Sequence, residues 1–211
     1  DRLRRLAGSR ALAGIDIMGH ETNSTRDFEA LLRGVADWAD RHRPGFVVRV
    51  HAGENPAFPE NVRAAIDAVE GRAVRLRIGH GLYGTDDATL ERLARIGAIV
   101  EFNPNSNLAL NNIRSGAGLP IVRTLAAGVR AVLGTDGYGM YATSPGAEVR
   151  AASLAGLTPA LAARIAATER EQQALATIAA SSEAKALSSP VFPVADTLGV
   201  SAEWLAGKVA G

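Results

Sequence analysis

The sequence predicts an α/β fold built on a parallel sheet, and three observations carry that expectation. Short apolar runs bounded by turn residues recur at 13–19 (AGIDIMG), 46–51 (FVVRVH), 74–80 (VRLRIGH), 98–103 (AIVEFN) and 130–136 (RAVLGTD). An amphipathic helical pattern fills each gap, so strand centres repeat about every 24 to 32 residues. Each crossover is then a helix, which requires parallel strands. The runs also read as nearly continuously apolar, as strands covered on both faces should be.

The connecting segments follow helix grammar in order. In STRDFEALLRGVADWADR, Ser24 or Thr25 is the expected N-cap, and Phe28, Leu31, Leu32, Val35 and Trp38 share one face. His42 closes that helix, where an imidazole complements the negative dipole end. Pro59 opens FPENVRAAIDAV, with Val62, Ala65, Ile66 and Val69 as its stripe. Thr85 is the expected cap of TDDATLERLARIG, Asp86 and Asp87 sit at its positive end, and Gly97 follows its stop. LPIVRTLAAG repeats the same proline-in, glycine-out pattern. NPNSNLALNN reads as a loop whose Asn and Ser side chains satisfy its own backbone and shape a pocket rim. After Asp136 come helices and then an irregular, proline-containing tail. No linker divides the chain, so one domain over 1–211 is expected, with the β/α repeat over about 10–180 and a helix and tail over 181–211.

Five strands do not close a (β/α)8 barrel, which takes eight strands and about 250 residues. Two readings follow: an open parallel sheet, or the later part of a TIM-type barrel. Gly19, His20, Glu21, His51, His80, Asn103 and Asp136 all stand at or just past the C-terminal end of a strand. Every strand donates to that one edge and no single switch point is favoured, which is the habit of the barrel.

Composition narrows the function classes. A formal charge of +1 gives no electrostatic case for nucleic acid or an anionic membrane. The absence of cysteine removes disulfides, thiolate catalysis and cysteine-ligated metal, and an intracellular, cytoplasmic setting is expected. No apolar run approaches the roughly 20 residues that span a bilayer. The first residue is Asp rather than Met and no signal-peptide pattern follows it, so a start within a longer protein, or processing, is expected.

The rim residues offer metal and proton chemistry. His51 at a strand mouth suits a divalent cation, and Glu54, three residues on across Gly53, suits a general acid or base. The plainer reading is a strand-end histidine bonded to a neighbouring loop, with Glu54 solvated. His80 lies between Gly79 and Gly81, which permit a sharp turn and close ligand approach, or simply a satisfied histidine in a glycine-rich turn. Asp136-Gly137 suits a hairpin, but no alternating strand follows. His20 and Glu21 border the same mouth. Taken together, His51, Glu54, His80 and Asp136 on three strand ends are the parts for hydrolysis by metal-activated water.

The segments AGIDIMGHE, VHAGE, RIGHG, EFNPNSNL, LAAGVRAVLGTD and YATS occur in the order and spacing of the adenosine/AMP deaminase family of the amidohydrolase superfamily. The chain resembles that family over roughly residues 10–180. The resemblance implies a (β/α)8 TIM-type barrel, of which these strands are approximately the fourth to eighth. It implies Zn2+ as cofactor, with His51 and Asp136 as ligands. Glu54 becomes the proton shuttle to a ring nitrogen and His80 the residue that deprotonates or orients the water. Gly19, with Gly53 beside the site, contacts the substrate. The implied reaction is hydrolytic loss of ammonia from C6 of an adenine-type ring, and the implied partner is a small-molecule purine nucleoside or similar compound.

Two departures stand against the family pattern. No His-x-His pair occurs in the chain, although the family's first strand supplies two zinc ligands in that form. The missing N-terminal barrel strands, or a homo-oligomer partner, are therefore expected to complete the sheet. Gly137 occupies the place of the family's second Asp, so a substrate other than adenosine is expected. The alternatives are a catalytically degenerate homologue with a binding or assembly role, or another amidohydrolase-type metal-dependent hydrolase.

Overall fold

In the computed structural model the described residues are 12–19, 21–110 and 112–184. Five strands, β1 (Gly14–Ile17), β2 (Phe46–Ala52), β3 (Val74–His80), β4 (Ile99–Phe102) and β5 (Arg130–Leu133), form one sheet in sequential order. All pairings are parallel, with Asp16 opposite Arg49, His51 opposite Gly79 and Gly79 opposite Glu101. A doubly wound sheet reverses direction at a switch point; this one never does, which is the order of a barrel wall.

The helices follow the strands as the crossover argument requires: α1 (Glu29–His42), α2 (Asn61–Val69), α3 (Asp87–Arg95), α4 (Pro104–Ala109), α5 (Ile121–Ala126), α6 (Pro145–Ser153) and α7 (Pro159–Ala184). Leu32, Val35, Ala36 and Ala39 of α1 and Val62, Ala65, Ile66 and Val69 of α2 bury their stripes against Val48, Val50, Leu76 and Ile78 of the sheet. α7 lies against β5, where Glu171 pairs with Arg130 at 2.5 Å. Residues 185–211, most of the expected tail, lie outside the described residues.

Several expectations need correction. Burial along β2 alternates strictly, and only β4 is buried at every position. The runs looked continuously apolar because Arg49, Arg75, Arg77 and Glu101 are isolated among valines, leucines and isoleucines. They mark an inner face that is charged rather than covered. In the first helix, Phe28 and Leu31 are exposed. Thr25–Phe28 forms a 3-10 turn capped by Ser24, and α1 starts only at Glu29. A turn of about three residues shifts the phase of the stripe, and Leu31 lies about 100° around the helix from Leu32.

At α3 the cap is Asp86 rather than Thr85; its carboxylate accepts from Thr89 N at 2.8 Å. NPNSNLALNN is not a loop, because Pro104 opens α4 in the first turn, where its missing N–H costs nothing.

Candidate active site at the C-terminal rim

His51 is the penultimate residue of β2, and its ring lies over Gly79 of β3. A Cβ at Gly79 would meet His51 Cδ2 at 3.1 Å, so the neighbouring strand keeps a bare backbone where the imidazole rests. His51 Nε2 is buried and forms no hydrogen bond; Asp16 Oδ1 stands 3.7 Å away. An unpaired buried nitrogen is costly unless a ligand takes it.

His80 ends β3 with φ +71°, a left-handed backbone that is rare outside glycine. The turn delivers its ring to His51, with centroids 5.1 Å apart in an edge-on arrangement. His80 Nδ1 lies 3.1 Å from Asn107 Oδ1 and 3.4 Å from Asn103 Nδ2. The shorter contact assigns the proton to Nδ1 and leaves Nε2 as an acceptor aimed at Glu54 Oε2, 3.7 Å away. Burial, reinforced by the neighbouring His51, pulls the His80 pKa down to about 4.

Glu54 follows Gly53, whose φ of +75° turns the chain off the end of β2. A Cβ at Gly53 would lie 2.4 Å from Tyr83 O, so only glycine fits there. Burial raises the proton affinity of Glu54, and the charges of Asp136 and Glu21 raise it further. Asn112 Nδ2 donates to its Oε1 at 3.3 Å.

Ligand atoms of His51, Glu54 and His80 all lie within 4.8 Å of one another. Asp136 is not in that set. It sits just past β5 with φ +52°, accepts from Ser106 Oγ at 2.7 Å, and its charge reaches Glu54 and His80. Gly19, at φ +156°, is exposed beside a cavity of about 140 Å³ that His51 and Glu21 also line. His20 lies outside the described residues. His42 ends α1 and rests on Trp38, 5.9 Å between ring centroids, far from this chemistry.

Sequence reasoning missed the groups beneath and behind these residues. Arg49 reaches Asp16 at 2.5 Å and Glu101 at 2.6 Å, and Arg77 closes on the same Glu101. This ladder underlies His51, two residues along β2. Charges placed at alternate strand positions were the available signal. Glu21 was recognised only as bordering the mouth. In fact its carboxylate accepts from Gly53 N, Glu54 N and Asn55 N, at 2.7, 2.5 and 2.7 Å, and from Asn61 Nδ2 at 2.9 Å.

A parallel β/α wall that gathers a His-Glu-His cluster at its one polar rim is the arrangement in which barrel folds place their chemistry. The family profile described as adenosine deaminase matches residues 2–188, and the chain belongs to that family.

Among characterised relatives, it is 31% identical over 160 residues to the aminodeoxyfutalosine deaminase of Acidothermus cellulolyticus, covering 72% of this chain and 42% of that protein. It is 34% identical over 153 residues to the adenine deaminase of Rhizobium leguminosarum, covering 70% and 43%. The crystal structure of an adenine deaminase from Arthrobacter aurescens superposes with a TM-score of 0.63 at 22% identity, over 87% of this chain and 56% of that one. The sheet is thus a segment of a (β/α)8 barrel, and the chain spans less than half the length of the curated relatives it matches. Among the described residues no helix is long and apolar enough to cross a membrane.

Proposed function

We propose that this chain carries the later strands of a metal-dependent deaminase that releases ammonia from an adenine-type ring. The observation that carries the reading is the His51–Glu54–His80 cluster, with His80 buried and the other two half-buried, and with the charge of Asp136 reaching it, at the C-terminal rim of a chain of the deaminase family.

A Zn2+ ion would be held by His51, which offers an unpaired buried imidazole nitrogen, and by Asp136, which stands outside the His51–Glu54–His80 cluster and offers a carboxylate held by a serine hydroxyl. When bound, such an ion supplies Lewis acidity that makes water a nucleophile near neutral pH. The remaining ligands would come from barrel strands that this chain does not span. β1 and β5 form the two sheet edges among the described residues, and those strands or a second copy would cover them.

The chain's own groups handle protons. Neutral His80 takes a proton at Nε2 from the attacking water. Protonated Glu54 gives one to the ring nitrogen beside the reacting carbon. The remaining proton of the added hydroxyl then returns to Glu54 as the carbonyl forms, the proton held by His80 passes to the amino group, and the C–N bond breaks with loss of NH3, so both residues are reset. Raised proton affinity at Glu54 and lowered affinity at His80 suit these opposite tasks. Gly19 at the cavity would let the ring approach backbone, while Gly53, whose N–H and O are taken by Glu21, Leu82 and Tyr83, would act by shaping the loop beside the ring.

Gly137 sharpens the substrate. A Cβ there would meet Met140 Cε at 2.9 Å and Tyr141 Cε2 at 3.2 Å, so these two side chains border the place where a longer side chain would begin. The ring edge facing this turn would meet a thioether and an aromatic ring rather than a carboxylate. That favours an aminopurine other than adenosine, and it is also the observation that favours the second reading, a homologue that binds without turnover.

Ammonia release from adenine, adenosine, AMP and modified aminopurines by the zinc-loaded full-length protein tests the proposal. Turnover of one member is expected. Stoichiometric zinc with no turnover of any would establish the non-catalytic alternative.

A further inference from the structure

We infer that Glu21 is a positioning residue for Glu54, holding the β2–α2 loop so that the Glu54 carboxylate faces His80; this rests on the proposed role of Glu54. The geometry is unusual for a surface loop. One carboxylate, on a residue only 8% exposed, takes the N–H groups of three successive residues, 53 to 55, and the side-chain amide of Asn61.

The left-handed turn at Gly53 points those amides to one side, making an anion-binding nest that the protein fills with its own carboxylate. On its other side, Gly53 O accepts from Leu82 N and Tyr83 N at 2.8 and 2.9 Å. The loop is thereby gripped at once from the segments that follow β1 and β3. Asn61 extends the grip, accepting from Thr25 N at 2.7 Å and donating to Asn23 O at 3.3 Å.

Nothing in the Glu54 side chain itself supplies comparable restraint. Its carboxylate has one hydrogen bond, from Asn112 at 3.3 Å, and the 3.7 Å approach of His80. Its place is therefore set through the backbone amides that Glu21 collects. The negative charge of Glu21 also favours the protonated form of Glu54. Glutamine cannot replace it, because an NH2 group would confront N–H donors that need an acceptor. Aspartate keeps the charge and both oxygens but is one methylene shorter.

The test compares wild type, Glu21→Gln and Glu21→Asp in the zinc-loaded full-length protein, by steady-state kinetics on the turned-over aminopurine and by amide hydrogen exchange. Glu21→Gln is expected to lower kcat about 10²-fold, the effect of misplacing a catalytic group by about 1 Å. KM should stay within about twofold, zinc content should be unchanged, and amides 53–55 should exchange faster. Glu21→Asp should recover part of the kcat.

Unchanged kcat in Glu21→Gln despite faster exchange would overturn the positioning role and leave a loop staple. Unchanged exchange at 53–55 would overturn the clamp. A wild-type protein that releases no ammonia would sink the functional reading and with it the kinetic half of this inference, while the exchange rates would still decide the clamp. If Glu21→Gln fails to fold, a Glu21→Asp variant with full kcat would equally overturn it.

Discussion

On the helix-facing side of β2, Val48 and Val50 are buried among the side chains of α1 and α2. On the opposite side of the same strand, Arg49 bridges Asp16 and Glu101, and His51 stands above it with an unpaired nitrogen. The two faces alternate residue by residue, so a single strand carries the apolar core on one side and the candidate site on the other. Apolar burial is cooperative and tolerant of volume-conserving change. The inner face depends on groups of defined charge, each matched to a partner. Damage to the first should appear as lost folding free energy, and damage to the rim of the second as lost turnover.

The sharpest way to break that division is Glu54→Gln. It removes the proposed proton donor while preserving shape, and kcat in the full-length protein should fall about 10²- to 10⁴-fold with zinc content and melting temperature unchanged. A variant with normal turnover would remove Glu54 from its role. Ile78→Ala attacks the other side. Ile78 is fully buried, and the loss should be roughly 2–5 kcal/mol in chemical denaturation. Retained stability would mean that the helix-facing layer is not the main core.

Glu101→Gln lies between the two, on the inner face but below the rim. It leaves Arg49 and Arg77 without their shared carboxylate, and a cost of about 1–3 kcal/mol is expected, with kcat reduced less than by Glu54→Gln. A neutral result would make the ladder ornamental.

A more gradual effect is in pH. In metal-free protein, the His80 pKa of about 4 lies below its ordinary 6.5. Neutral His80 is favoured by folding, so its contribution is present above 6.5 and lost as pH falls toward about 4. The slope approaches about 1.4 kcal/mol per pH unit. Glu54 has the opposite sign: its raised pKa gives stability that is present below the ordinary carboxylate value and lost as pH rises through the raised one. His80→Asn should flatten the acid-side loss in urea titrations, and an unchanged slope would assign the loss elsewhere.

How much of this was legible depended on range. The five strands, their parallel sense and the residues at their ends follow from local pattern, because apolar runs and helix caps are encoded within a few positions. Asp16, Arg49 and Glu101 were hidden in plain view, since the pairing of isolated charges across three strands is set by register, not by neighbours in the chain. The grip of Glu21 on residues 53–55 spans more than 30 positions. Nothing in the local sequence marks it beyond its place after β1. Asn107 and Ser106 were read as loop residues that satisfy their own backbone, whereas α4 turns them onto His80 and Asp136.

That short helix has a mechanical consequence. Ser106 holds Asp136 from β5 and the next residue, Asn107, holds His80 from β3, while Asn105 is anchored to Glu148 and Thr143. One rigid six-residue turn is thus a common mount for two groups that arrive from separate strands. Any tilt of the mount moves both together, so a change in the α6 region that shifts Glu148 would retune the two in concert, with neither of them altered.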